Sequence, residues 1–350
     1  MDPSGVFSTS YREDRRLVRT RWQALSLFLF VAVMLLAPFL AGPRMIAILN
    51  IMLISAVVAV GLQVCTGYAG QINLGQAAFM GVGAYSAGIL ASKTGLTFLL
   101  TIPLGGLAAA AFGFLFGLTA ARIKGFYLAL TTIAAQFIFH FAVLNLPSHW
   151  LGGSNGVTVP AAEILGYRLV DDSAQYYLIL IVAAVMIAGA FGIVRSRFGR
   201  AFVAVRDDDV AAGIMGINVA RTKANAFLIG AFYAGVGGAL WAYVIRFVGV
   251  DQFTLFNSVF FIAMIVVGGM GSIVGALIGV FVIRTIQEVI ATVGPNLAEV
   301  VPFIGGDIVF AGMNVILGGV IALFMILEPK GLMHRWSIVK SSYRIWPFPY

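Results

Sequence analysis

Apolar and polar residues fall in long blocks along this chain. Ten apolar stretches, at about 23–42, 45–64, 70–92, 96–120, 126–145, 176–194, 225–247, 256–269, 272–293 and 305–327, alternate with shorter polar ones. Most approach the roughly 20 residues that a helix needs to cross about 30 Å of hydrocarbon. Backbone groups in lipid must be satisfied internally, so helices or a closed barrel are the options. The runs are too long and too continuously apolar for the alternating strands of a barrel. The pattern predicts an all-α fold, a polytopic transmembrane helix bundle of about ten segments, some short or broken at glycine-rich motifs.

Basic residues orient the bundle through the positive-inside bias. Arg12, Arg15, Arg16, Arg19 and Arg21 keep the N-terminus inside, and Arg122 and Lys124 mark an inside turn. The segment 146–175 sets Glu163, Asp171 and Asp172 against Arg168 and suits the outside. The loop 195–224 and the tail with Lys330, Arg335, Lys340 and Arg344 then lie inside. Nine spans would strand that tail outside. Splitting 256–293 at Gly268-Gly269-Met270-Gly271 returns it, so a broken or tightly turned pair is expected there. The expected organisation is a cytoplasmic segment 1–22, a transmembrane domain 23–327 and a cytoplasmic tail 328–350.

Composition agrees with lipid as the solvent. The chain is 61% hydrophobic and only 10% charged, against about 25% charged in soluble domains. The net charge of +8 does not point to nucleic acid, because the basic residues flank apolar spans instead of forming one patch. The first apolar run passes signal-peptide length without a clear cleavage site, so Leu25–Leu40 reads as a retained span. A single cysteine, Cys65, excludes a disulfide framework or a thiolate metal cluster. No phosphate-loop, H-E-x-x-H or C-x-x-C motif is present, and no group of ionisable residues converges within the apolar runs. Nucleotide hydrolysis and membrane-embedded catalysis are therefore not expected of this chain, and no metal or cofactor site is predicted in it.

The one long polar segment between apolar runs is Arg195 to Lys223. Within it Val210, Ile214 and Ile217 recur at i, i+4, i+7, one apolar stripe on a short helix. Asp207, Asp208 and Asp209 stand at its N-terminal end, where negative charge complements the helix dipole. Gly216 and Asn218 suit its close. Such a helix can enter a groove of another protein or lie on lipid; the aspartates disfavour an anionic leaflet.

Three further patterns stand out. From Gly67 to Tyr85 glycines are dense, with the amides Gln71, Asn73 and Gln76 among them. Close packing explains the glycines, while the amides fit either a helix break or a polar pathway, with Gln136 as a further tentative lining residue. Gly271, Gly275 and Gly279 recur every four residues beside Gly268 and Gly269, which predicts one close-packing helix face. Arg284 and Glu288 are four apart and share a helix face; a structural pair is expected, with a substrate site as the alternative reading. The loop 146–175 is either a connecting loop or a surface for an external partner.

Taken in order, several runs resemble the permeases of ATP-binding-cassette importers for branched-chain amino acids, in particular the LivM-type subunit. GYAGQINLGQAAF at 67–79 resembles the family's "GYxGQxSLGHAAF", with Asn73 and Gln76 where Ser and His are usual. RFGRA at 197–201, RDDDVAA at 206–212 and MGI at 215–217 resemble its cytoplasmic coupling loop. GGMGSIVGA at 268–276 resembles its "GGxGSxxGA", and EPKGL at 328–332 its "EPxGL". The resemblance spans about 60–330. It implies a bacterial inner-membrane subunit working with a LivH-type permease subunit, two cytoplasmic ATPase subunits that bind the ATP, and a periplasmic substrate-binding protein. It implies ATPase coupling through Arg206, Asp207, Asp208, Asp209, Val210, Ala211, Ala212, Met215 and Gly216. Urea, short amides and small aromatic carboxylates are alternative cargoes, and a secondary carrier or membrane enzyme is the alternative from another class.

Overall fold

A computed structural model describes residues 21–345 except 121, 124, 165–166, 169–170, 301–314, 316–317 and 320. Nine of the ten expected apolar segments are helices here. The tenth, 305–327, lies largely outside the described residues, although 321–327 is helical. The terminal segment 1–20 lies outside them altogether.

Helix α1, Arg21–Leu40, runs along the edge of the bundle with Phe28, Leu29, Phe39 and Leu40 exposed. Pro38 within it supplies no N–H to the carbonyl of Met34, four residues back. The Tyr176 hydroxyl from α6 (Asp172–Arg195) fills that gap, donating to Met34 O at 2.8 Å, and Tyr177 donates to Leu35 O at 2.9 Å. Gly42 and Pro43 then start α2, Pro43–Leu62, proline taking the first-turn site where a missing N–H costs nothing.

Helix α2 is central, buried continuously from Ile54 to Leu62. It runs into one π turn, Gln63–Tyr68, and the chain unwinds over 69–75 before α3 begins at Gln76 and continues to Thr94. The expected span 70–92 therefore starts six residues late. Helices α4, Phe98–Ala120, and α5, Phe126–Asn145, follow. The core is made where α9, Val219–Ile245, meets α2, α3 and α4. Small residues permit that contact: a Cβ at Gly83 would stand 2.3 Å from Gly235, and one at Gly238 would stand 1.8 Å from Met80 O.

The segment 146–175 is more ordered than its glycines suggest. It forms one helical turn at Ser148–Leu151, a 3-10 turn at Gly153–Asn155 and two small ribbons. Val157–Thr158 pairs antiparallel with Phe247–Val248 beyond α9, and Glu163–Ile164 with Tyr167–Arg168. Val159 and Ala162 are buried, so the segment lies on the bundle.

Helices α10, Leu255–Gly268, and α11, Ile273–Val300, are separated by the tight turn 269–272, the expected break. A Cβ at Gly268 would meet Gly275 O at 1.9 Å, and one at Gly279 would meet Met264 O at 1.8 Å. Gly268, Gly275 and Gly279 thus pack the two arms of this hairpin together. Gly271 does not share that face. It sits in the turn at φ +83°, beside Gly269 at φ +115°, conformations that glycine adopts without strain. The tail forms a helix too, Leu332–Ile345, whose preceding Gly331 lies against Gly269.

Among the described residues, seven helices, those at Pro43–Tyr68, Phe98–Ala120, Phe126–Asn145, Asp172–Arg195, Val219–Ile245, Val250–Gly268 and Ile273–Thr292, are long and apolar enough to cross a membrane.

Candidate coupling surface and broken helix

The polar loop holds two helices, not one. Ser196 caps α7, Arg197–Asp207, accepting from Phe198 N at 3.1 Å. Gly199 allows the α6–α7 corner, since a Cβ there would meet Val194 O at 1.9 Å. Phe202 and Val205 bury the inner face of α7. The sequence signal for α7 is the amphipathic run RFGRAFVAV, in which Gly199, Phe202 and Val205 face inward.

The expected short helix is α8, Asp209–Ile214. The three aspartates have three tasks. Asp208 is the N-cap, accepting from Val210 N at 2.9 Å and Ala211 N at 3.0 Å. Asp209 pairs with Lys223 at 3.1 Å, whose side chain is only 3% exposed. Asp207 ends α7 and pairs with Arg206 at 2.9 Å. The helix closes at Gly216, φ +86°, with Ile217 N donating to Ala212 O and Gly216 N to Gly213 O, both at 3.0 Å. This pair of bonds satisfies the last carbonyls.

Only part of the predicted stripe is presented outward. Val210, Ile214 and Met215 are 64%, 81% and 82% exposed, and Ala211 and Gly216 are exposed beside them. Ile217 is half-buried and Ala212 is buried against the body. The result is an apolar ridge held on a capped helix at one end of the bundle.

Arg206 points away from that ridge. Its Nη1 donates to Gly67 O at 3.1 Å, the last turn before the chain unwinds. A Cβ at Gly70 would stand 2.7 Å from Arg206 Cγ, and one at Gly271 would stand 3.3 Å from Nη1. A cleft of about 360 Å³ between the loop and the break is lined by Gly70, Gln71, Arg206, Asp208 and Lys223 among others. The polar loop, the unwound segment and the α10–α11 turn meet at one side chain.

The amides of the glycine-rich motif are all buried and serve the break. Gln71 Nε2 donates to Ala69 O at 2.8 Å. Asn73 Oδ1 accepts from Gly75 N at 2.9 Å, and its Nδ2 donates to Gln76 Oε1 at 2.8 Å. Gln76 Nε2 reaches Val58 O at 3.1 Å and Gly230 O at 3.4 Å. Gln136 lies one helix away and donates to Phe253 O. The unwound main chain is further met by Thr132 Oγ1, accepting from Leu74 N at 3.0 Å, and the first turn of α3 by Ser258 Oγ, accepting from Ala77 N at 2.9 Å. Gln63 ties the π turn to the hairpin by donating to Gly269 O and Ser272 O, each at 3.0 Å. Gln63, Thr132 and Ser258 carried no motif; an isolated polar residue inside an apolar run was their only mark.

The expected Arg284–Glu288 pair does not form. Glu288 pairs with Arg44 on α2 at 2.7 Å, while Arg284 donates to Ser55 Oγ and Gln287 Oε1. No group of His, Cys, Asp or Glu that could hold a metal ion occurs among the described residues.

Comparison with known proteins bears on this arrangement. The family model described as "Branched-chain amino acid transport system / permease component" matches residues 44–327. The chain belongs to this family. It is 30% identical over 330 residues to the high-affinity branched-chain amino acid transport system permease protein LivM of Escherichia coli (strain K12), covering 87% of this chain and 74% of that relative. The BraD permease of the corresponding Pseudomonas aeruginosa system is 25% identical over 307 residues, covering 81% and 93%. The autoinducer 2 import system permease protein LsrC of Klebsiella pneumoniae is 32% identical over 116 residues, covering 31% and 33%. No solved structure matches. The bundle is thus an integral membrane permease of the branched-chain amino acid family, with the ridge of α8 and the α2–α3 break both inside the matched region.

Proposed function

We propose that this chain is one permease subunit of an ATP-driven importer for branched-chain amino acids in a bacterial inner membrane. The other parts are a second, LivH-type permease, two cytoplasmic ATPase subunits that bind the ATP, and a periplasmic substrate-binding protein. The N-terminus, the loop 195–224 and the C-terminal tail face the cytoplasm, and 146–175 faces the periplasm.

The observation that carries this reading is the ridge of Val210, Ile214 and Met215 on α8. A six-residue helix capped at both ends is built to hold its shape, and its exposed apolar side chains gain by entering a groove in another protein. Family membership supplies the groove's owner, an ATPase subunit. ATP-driven closure of the ATPases moves α8, and α7 and Arg206 carry that motion to the α2–α3 break and the α10–α11 turn. The bundle then alternates between outward- and inward-open states. In this reading Gln71, Asn73, Gln76 and Gln136 exchange their internal bonds as the break rearranges and meet the pathway only then.

The test is leucine uptake by proteoliposomes holding the assembled complex, with ATP hydrolysis followed in parallel. Ile214→Cys should cross-link to a cysteine placed on the ATPase, and charged substitutions across 210–215 should abolish uptake while hydrolysis persists. Uptake unchanged by such substitutions overturns the docking assignment. A substrate panel with urea, short amides and small aromatic carboxylates tests the cargo.

A further inference from the structure

Arg284, half-buried at the edge of the bundle, is a cation that meets no anion among the described residues. Its Nε and Nη2 donate to Ser55 Oγ at 3.0 and 2.7 Å, and its Nη1 donates to Gln287 Oε1 at 3.1 Å. Both acceptors are neutral. Ser55 Oγ spends its own hydrogen on Ile51 O at 2.7 Å. A guanidinium has five N–H groups, so these three bonds leave one on each Nη. No carboxylate lies within ion-pair distance of Arg284 among the described residues, and Glu288, one turn further on, is taken by Arg44.

Two counts place this group at mid-depth. Ser55 is twelve residues into α2, about 18 Å from its start at 1.5 Å per residue. Arg284 is eleven residues into α11, about 16 Å from the α10–α11 turn. Half of a hydrocarbon core is roughly 15 Å. The adjoining face of α11 is open along this chain: Phe281 is 62% exposed and Val289 54%, and Arg284 is half-buried at its edge. Facing lipid, an unpaired charge at that depth is costly; such groups line polar routes or pair with an anion.

We propose that Arg284 binds the carboxylate of the transported amino acid midway across the membrane. This rests on the amino-acid import reading above. The two free N–H groups, one on each Nη, match in number the two oxygens of a carboxylate, and the bonds to Ser55 and Gln287 restrain the guanidinium. Every α-amino acid carries this group, so the anchor serves the class without choosing among side chains. The competing occupant is an acidic side chain of the partner permease.

Proteoliposomes with the complete importer decide between them through leucine uptake, ATP hydrolysis stimulated by leucine-loaded binding protein, and subunit assembly on gel filtration. Arg284→Gln should leave assembly and stimulated hydrolysis at wild-type levels and lower uptake roughly 10- to 100-fold, the range for losing a charge-assisted bond. Arg284→Lys, which keeps the charge, should recover part of that loss. Wild-type uptake by Arg284→Gln overturns the anchor and leaves the amino-acid reading standing. Loss of assembly in both variants also overturns it and assigns Arg284 to a partner's acid. Failure of the wild-type complex to import any amino acid removes the import reading, and the anchor with it.

Discussion

Arg206 donates through Nη1 to the main-chain carbonyl of Gly67 at 3.1 Å, joining the polar loop to the point where α2 unwinds. A hydrogen bond from a charged donor contributes about 1.5–3 kcal/mol. The lower end applies here, because the Arg206 side chain is 37% exposed and shares its charge with Asp207. Arg206→Ala should therefore leave the complex assembled while weakening the link. Leucine uptake per ATP hydrolysed should fall several-fold, with basal hydrolysis retained. An unchanged ratio removes Arg206 from the transmission route.

Gly70 faces the same side chain. Its φ of +68° and the 2.7 Å separation between its missing Cβ and Arg206 Cγ leave no place for a methyl group. Gly70→Ala should cost about 1–3 kcal/mol and lower the melting temperature of the purified chain in detergent. The double variant with Arg206→Ala should recover part of the loss, which a double-mutant cycle measures directly.

The cap of α8 makes a separate prediction. Asp208→Ala removes the acceptor for Val210 N and Ala211 N and should cost about 1 kcal/mol of local helix stability. Amide exchange across 209–214 should quicken while the spans keep their protection. Asp208→Asn retains an acceptor and should behave nearly as wild type.

Tyr176 and Pro38 are coupled through Met34. Tyr176→Phe removes the donor to Met34 O and should destabilise α1 against α6 by about 1 kcal/mol. Pro38→Ala restores the helix N–H to that carbonyl, so the phenylalanine substitution should cost less in that background. Equal cost in both backgrounds shows that the hydroxyl is not compensating for the proline.

Glycines of the core allow the sharpest contrast. At Gly279 a Cβ would stand 1.8 Å from Met264 O, in backbone that cannot swing aside, whereas at Gly192 it would meet nothing within 4 Å. Gly279→Ala should lower folded yield in the membrane severely. Gly192→Ala, on exposed helix, should be neutral or stabilising by up to about 1 kcal/mol. Fluorescence size-exclusion profiles of the two would separate packing from propensity.

Much of this architecture is legible along the chain because lipid imposes one rule on every span. Apolar length alone located α1, α2, α4, α5, α6 and α9–α11, and parity of charge required the turn at 269–272. The short helix α8 was legible for a similar local reason: Asp208, Val210, Ile214 and Gly216 encode its start, face and end within nine residues. Local rules did not reach further. Arg44, which pairs with Glu288, and Ser55, which accepts from Arg284, both lie on α2, more than 200 residues away, and an i, i+4 spacing carries no record of a competing partner on another helix.

The glycine-rich motif shows the same division. Its composition announced an interruption and a need for amide partners, because unwound backbone in lipid must be satisfied and Gln71, Asn73 and Gln76 are the groups at hand. Which carbonyls they would meet, and that Gln63, Thr132 and Ser258 from three other elements would complete the set, depended on helices brought together only in the folded bundle. So did the placing of Arg206. By sequence it belongs to the loop, where the family resemblance implies a role in ATPase coupling and nothing local points to a contact with the glycine-rich motif. Packing of α7 against the end of α2 turns it inward onto Gly67, and there it joins the polar loop to the break.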